Sequence, residues 1–177
     1  MTPAAVLAAW LAVAATPQAA EPAAPASRAS LAVDVGASLM QPSLHAALEG
    51  SLRVLGRSRL LVRAEWNPWL TLQQTGGKVN RGTLNVGAGA ELRYFDERMS
   101  SSVMLGASFL LFQSAFDPPG TFGPFLALAP ATFRFPLSER FVLRVEPLAL
   151  QLLAPSLGSI PLIVLQYRHS VSLELQL

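Results

Sequence analysis

Seven arginines and six acids recur on one parity of alternating segments in this chain. They are Arg53, Arg59, Arg63, Arg93, Arg134, Arg144 and Arg168, against Asp34, Glu49, Glu65, Glu91, Glu146 and Glu174. Guanidinium and carboxylate groups in near balance are suited to pairing, because Arg offers planar, bidentate donors to a carboxylate. Metal binding is a weaker reading of the same acids. Asp34, Glu49 and Glu65 could supply oxygens to calcium, but arginines are interleaved with them, and hard cations want oxygen ligands without competing positive charge. No metal site is assigned.

Catalysis has two histidines to draw on. His169 stands beside Ser170, with Glu174 in the same segment. In an extended strand adjacent side chains point to opposite faces, so His169 cannot serve as the base for Ser170. His45 has no carboxylate neighbour in sequence. The GAGAE motif (residues 87–91) lacks the following helix that a dinucleotide fingerprint needs. No catalytic residue and no cofactor are expected.

The elements that carry these charges are strands. TLNVGAGAELRYF (83–95) sets Leu84, Val86, Ala88, Ala90, Leu92 and Tyr94 against Thr83, Asn85, Gly87, Gly89, Glu91 and Arg93. A helix at about 100° per residue would scatter that pattern, whereas a strand sorts it onto two faces. Seven more segments alternate in the same way: 31–40, 45–55, 59–66, 101–112, 124–135, 140–150 and 167–177. In 124–135 the apolar face is read as Phe125, Ala127, Ala129, Ala131 and Phe133. Pro130 and Pro147 remove ladder donors, which predicts bulges or early strand ends there. The faces of 148–153 and 160–166 do not follow from the pattern.

Charged residues make up 14% of the 177 residues, against about 25% in soluble domains. Hydrophobic residues reach 51%, yet past the N-terminus no run attains the roughly 18 apolar residues of a spanning helix. The cations alternate with acids and apolar residues, which argues against a nucleic-acid partner. With no cysteine, disulfides and thiolate metal sites are excluded. The apolar run Ala4–Ala15, followed by Pro17 and small residues, reads as a signal peptide over 1–20, with a flexible Ala/Pro-rich spacer over 21–30 and a barrel over 31–177.

Connections and aromatics decide which face meets water. Segments 2–3, 4–5 and 6–7 are joined by short charged turns, and NPWLTLQQTGGKVNRG, QSAFDPPGTFG and QLLAPSLGSIP form longer loops at the other end. Trp66, Phe109, Phe125 and Tyr167 collect at the long-loop end. Tyr94, Phe133, Phe135 and Phe141 collect at the short-turn end. All share the apolar parity, as two aromatic girdles would, which turns the apolar face to lipid and the charges into the lumen. Eight strands leave an interior just filled by side chains, so a packed ionic plug is expected rather than a pore.

A signal peptide, eight alternating strands, short turns opposite longer loops and the terminal VSLELQL together resemble the small OmpA/OmpX-type outer-membrane β-barrels. The resemblance implies an all-β fold, an eight-stranded antiparallel up-and-down transmembrane β-barrel, located in the outer membrane. It implies membrane lipid and the outer-membrane assembly machinery as partners and a structural or interaction role. The last strand is similar to the family's assembly signal but ends in Leu177 where an aromatic is usual. A soluble periplasmic ligand-binding barrel with an apolar interior is the alternative, and a lipid-modifying barrel enzyme is a third reading, although the deacylase-like His-x-Ser spacing is absent.

Overall fold

The computed structural model describes residues 27–39, 43–74, 77–111, 120–157 and 160–177. The leader assigned to 1–20 lies outside the described residues. The strands are β1 (Ala29–Ser38), β2 (Ser43–Leu55), β3 (Ser58–Gln74), β4 (Gly77–Tyr94), β5 (Met99–Leu111), β6 (Gly120–Pro136), β7 (Phe141–Leu153), β8 (Ser156–Leu157), β9 (Ile160–Pro161) and β10 (Val164–Gln176). β1 to β7 follow one another as antiparallel neighbours, β5 pairs with β6, and β10 lies between β7 and β1. This closes an eight-stranded barrel. β8 and β9 form a small hairpin attached to β6 through Thr121↔Ser156 and Gly120↔Leu157.

Alternation sets the two faces. Val33, Val35, Leu48, Leu52, Leu60, Val62, Val86, Leu105, Val171 and Leu173 are exposed on the outer wall, while Asp34, Glu49, Arg63, Glu91, Arg144 and Glu174 are buried. Among the largest fully buried side chains are Arg59, Arg93, Glu65, Glu91, Glu174, Gln151 and Gln166. That distribution inverts a soluble barrel. An outer wall of this kind leaves about 1.5–3 kcal/mol per large apolar side chain unrealised in water, and lipid removes that cost.

Several expectations are corrected by the backbone. NPWLTLQQTGGKVNRG is not a loop: β3 and β4 continue as a hairpin, with Leu70↔Arg81, Leu72↔Val79 and Gln74↔Gly77 in register. β1 also takes in Ala29 and Ser30, the end of the expected 21–30 spacer. In β6, Phe125 is 2% exposed and Ala129 is 5% exposed, so both face inward, as does Ala127, which packs against the interior apolar cluster. The reason is a register shift between Leu128 and Phe133, around Pro130. Thr132 and Arg134 are buried below the shift, and Phe125 and Ala129 above it. The same happens in β7, where the pairing jumps from Ser170↔Glu146 to Arg168↔Ala149 across Pro147. Each proline lacks the N–H that a regular ladder requires, and a bulge accommodates it while reversing which residues point in. Above Pro147 the inward residues are Ala149, Gln151 and Leu153; in 160–166, Val164 and Gln166 point in.

Candidate functional site in the lumen

The predicted charges converge. All of them are buried except Arg53, which is half-buried. In the half of the lumen near the short turns, Glu174 is the hub. Arg134 donates to it through Nη1 to Oε2 at 2.7 Å and through Nη2 to Oε1 at 2.9 Å, a bidentate fork. Arg93 reaches the same carboxylate at 3.1 Å, Glu91 at 2.9 Å and Glu97 at 3.0 Å. Arg53 closes the cluster on Glu97. Glu97 belongs to the turn Phe95–Asp96–Glu97, whose φ angles of 52°, 54° and 64° are left-handed. Non-glycine residues adopt that region only when the surroundings hold them there, and here two arginine side chains hold Glu97.

Higher in the lumen, Glu49 accepts from Arg144 at 2.5 Å and from Arg63 at 3.5 Å. Glu65 gathers Arg168 at 2.6 Å, Arg63 at 3.2 Å, Asn85 at 3.0 Å and Gln151 at 3.1 Å. Asp34 accepts from Arg63 at 3.0 Å and from the Ser170 hydroxyl at 2.7 Å, and its Oδ1 lies 3.1 Å from His45 Nε2. Among the described residues, two members stand apart from the ion pairs. Arg59 donates to Ser51 Oγ and the Ser27 carbonyl. Glu146 has no ion-pair partner among the described residues and lines a cavity of about 20 Å³ with Glu49, Arg63, Glu65, Gln151 and Arg168. A single water needs about 10–15 Å³ by that measure, so the cavity has the size of one water rather than of a solute.

Sequence reasoning missed His45, Ser170, Asn85, Gln151 and Glu97 as members. His45 and Asp34 meet because β1 and β2 pair Asp34↔Ala47 and Gly36↔His45, which makes them diagonal neighbours on the inner face. Gly36 leaves room for the ring: a Cβ there would run into both His45 Cε1 and the His169 carbonyl oxygen. His169 is exposed on the outer face, away from this group. On that face Trp66, Phe109 and Tyr167 lie towards the long-loop end, and Tyr94, Phe133, Phe135 and Phe141 towards the short turns. Phe125 leaves the girdle set for the interior. Phe122, 5.9 Å from Phe109 between ring centroids and exposed, takes its place on the wall.

An apolar belt around a charged, filled interior is the arrangement of a membrane-spanning barrel. Solved structures share the fold. The chain is similar to Ail, the attachment invasion locus protein of Yersinia pestis, solved with the heparin analogue sucrose octasulfate. Identity is 13%, with 86% of this chain and 99% of that one covered and a TM-score of 0.52. It is similar as well to Ail in a phospholipid bilayer nanodisc (14% identity, 84% and 99% covered, TM-score 0.51) and to a de novo designed transmembrane β-barrel (14%, 86% and 98%, 0.50). The fold is that of the small outer-membrane β-barrels. No protein-family model and no curated protein sequence matches the chain. The soluble-barrel alternative required an apolar interior; this barrel carries its charges inside and its apolar residues outside.

Proposed function

We propose that this chain is a small outer-membrane barrel with a structural or interaction role, its lumen closed by arginine–carboxylate pairs. The observation that carries the reading is the water-sized cavity among Glu49, Arg63, Glu65 and Glu146, at a level where a conducting barrel would have an open path. Short turns face the periplasm and the long-loop end faces outward. Contacts with partners then fall to the long-loop rim, where Leu39, Leu44, Phe122 and Ile163 are exposed. The alternate outward residues Val171, Leu173 and Leu175 of β10 are what the assembly machinery would engage.

Chemistry in the lumen is not part of this reading. Asp34 sits between Ser170 and His45 and takes a contact from each on separate oxygens. A nucleophile relay needs the histidine in the middle, where it can take the hydroxyl proton. The test is electrical. Purified barrel in a planar phospholipid bilayer should give no steady open channel across the usual voltage range. Sustained ohmic conductance of single insertions would overturn the closed-lumen reading.

A further inference from the structure

The outer wall of β3–β5 holds an apolar groove of about 490 Å³ lined by Leu60, Val62, Ala88, Ala90, Val103 and Leu105. Register explains it. Leu60, Ala90 and Val103 stand abreast, and Val62, Ala88 and Leu105 form the next rung up. Two alanines on the middle strand leave a floor between larger side chains. The walls are two strand spacings apart, about 10 Å, which admits one hydrocarbon chain.

Towards the short turns the chemistry of the rungs changes in order. The rung below is Ser58, Leu92 and Ser101, so hydroxyls replace alkyl groups on either side of Leu92. Tyr94 follows on the same outward parity, and its hydroxyl is 2.8 Å from Ser101 Oγ. At the turns themselves come Arg57 and Arg98, both exposed. Their backbones are fixed: the Arg57 carbonyl accepts from Arg93 N at 3.0 Å and the Arg98 carbonyl from Arg134 N at 2.8 Å. Among the described residues neither guanidinium has an ion-pair partner. Glu97, the nearer acid in sequence to Arg98, is taken by Arg53 and Arg93, and Asp96 is the remaining exposed carboxylate of that turn.

Alkyl, then hydroxyl, then cation is the order of acyl chain, ester and phosphate in a glycerophospholipid. From Ala90 to Tyr94 is about 13 Å along the strand, or about 9 Å along the membrane normal at 45° tilt, and Ala88 adds about 5 Å more. The column from Ala88 to Tyr94, with the groove at its upper end, therefore spans about the depth of one leaflet. We propose that this face binds one anionic glycerophospholipid of the periplasmic leaflet, an acyl chain lying over Ala88 and Ala90 and its phosphate met by Arg57 and Arg98. The proposal rests on the barrel's place in a membrane and not on the closed lumen.

The full barrel in phosphatidylcholine vesicles, with trace spin-labelled phosphatidylglycerol or phosphatidylcholine, provides the test. The motionally restricted component should favour phosphatidylglycerol severalfold at low salt and lose that preference in 1 M salt, where exposed charges are screened. Arg57→Gln and Arg98→Gln should each lower the preference by about fivefold at most, the weight of one cation near a membrane surface. Ala88→Leu with Ala90→Leu should remove about one restricted lipid per barrel. Equal association of the two labels in the unmodified protein at low salt would overturn the proposal. A preference surviving both arginine changes would do the same. Efficient disulfide cross-linking between copies through Ala90→Cys would assign the groove to a second copy instead. An absent preference in the wild-type salt series overturns the proposal even if a variant fails to fold.

Discussion

Replacing Arg93 by Leu isolates the value of one buried guanidinium. Arg93 is 1% exposed and touches three carboxylates, Glu91, Glu97 and Glu174. They do not suffer equally when it goes. Glu174 keeps the bidentate fork from Arg134, and Glu97 keeps Arg53. Glu91 is left with Arg134 at 3.7 Å. One stranded carboxylate rather than three sets the cost near the lower end of the range for breaking a buried pair, about 3 kcal/mol. Removing the stranded charge as well, in Arg93→Leu with Glu91→Leu, should recover about 2 kcal/mol of that loss, because the penalty belongs to the unpaired ion. Reversible urea unfolding from phospholipid vesicles, followed by tryptophan fluorescence, measures the unmodified protein, Arg93→Leu, Glu91→Leu and the double variant, and the four values give the coupling. A neutral single variant, or a double variant less stable than the single, would refute this account of the network.

Glu146→Gln should change stability by no more than about 0.5 kcal/mol, whereas Glu174→Gln, which weakens three arginine contacts, should cost about 3 kcal/mol in the same assay. Ala88→Arg places a cation on the lipid face and should cost about 2–4 kcal/mol if residue 88 lies near the midplane; a spin label there should be relaxed by oxygen and shielded from a water-soluble relaxant. Strong aqueous relaxation at 88 would mean the wall faces water. Gly36→Ala pushes a methyl against both the His169 carbonyl oxygen and the His45 ring and should cost about 1–3 kcal/mol. Since His45 is one of the two groups the methyl meets, His45→Ala in the Gly36→Ala background should recover part of that loss.

Strand positions were legible because period-two alternation is local, and Asp34, Glu49, Glu91 and Glu174 declare their face within a few residues. Where a proline inserts a bulge, the local rule changes sign. Phe125 was placed outside because its parity was counted from Phe133 across Pro130, and the sequence does not mark how many residues the bulge absorbs. The long β3–β4 hairpin was hidden for a similar reason, since Pro68 and the glycines of TGGKVNRG look like loop chemistry. Partner identity was the other gap. Which arginine meets which acid depends on the strand register around the whole barrel, as with Arg168 and Glu65. Only His45 and Asp34, across the short β1–β2 connection, offered a signal: two inward residues whose separation fits a diagonal pair.

Pro130 and Pro147 have a consequence for how this wall tolerates change. Each divides its strand into two segments read in different frames, much as a coding sequence is read differently after an odd insertion. A substitution rule learned below the proline, apolar on odd numbers and polar on even, is the wrong rule above it. Two-residue insertions on either side would keep every side chain on its own face, while a one-residue deletion at the proline would bring both segments into one frame. That deletion would leave Phe125 and Arg134 both pointing inward on a regular strand, whereas a one-residue deletion between the bulge and either of them would turn that residue towards lipid. The kink thus fixes the phase of the strand, and its length in residues carries as much information as any side chain it separates.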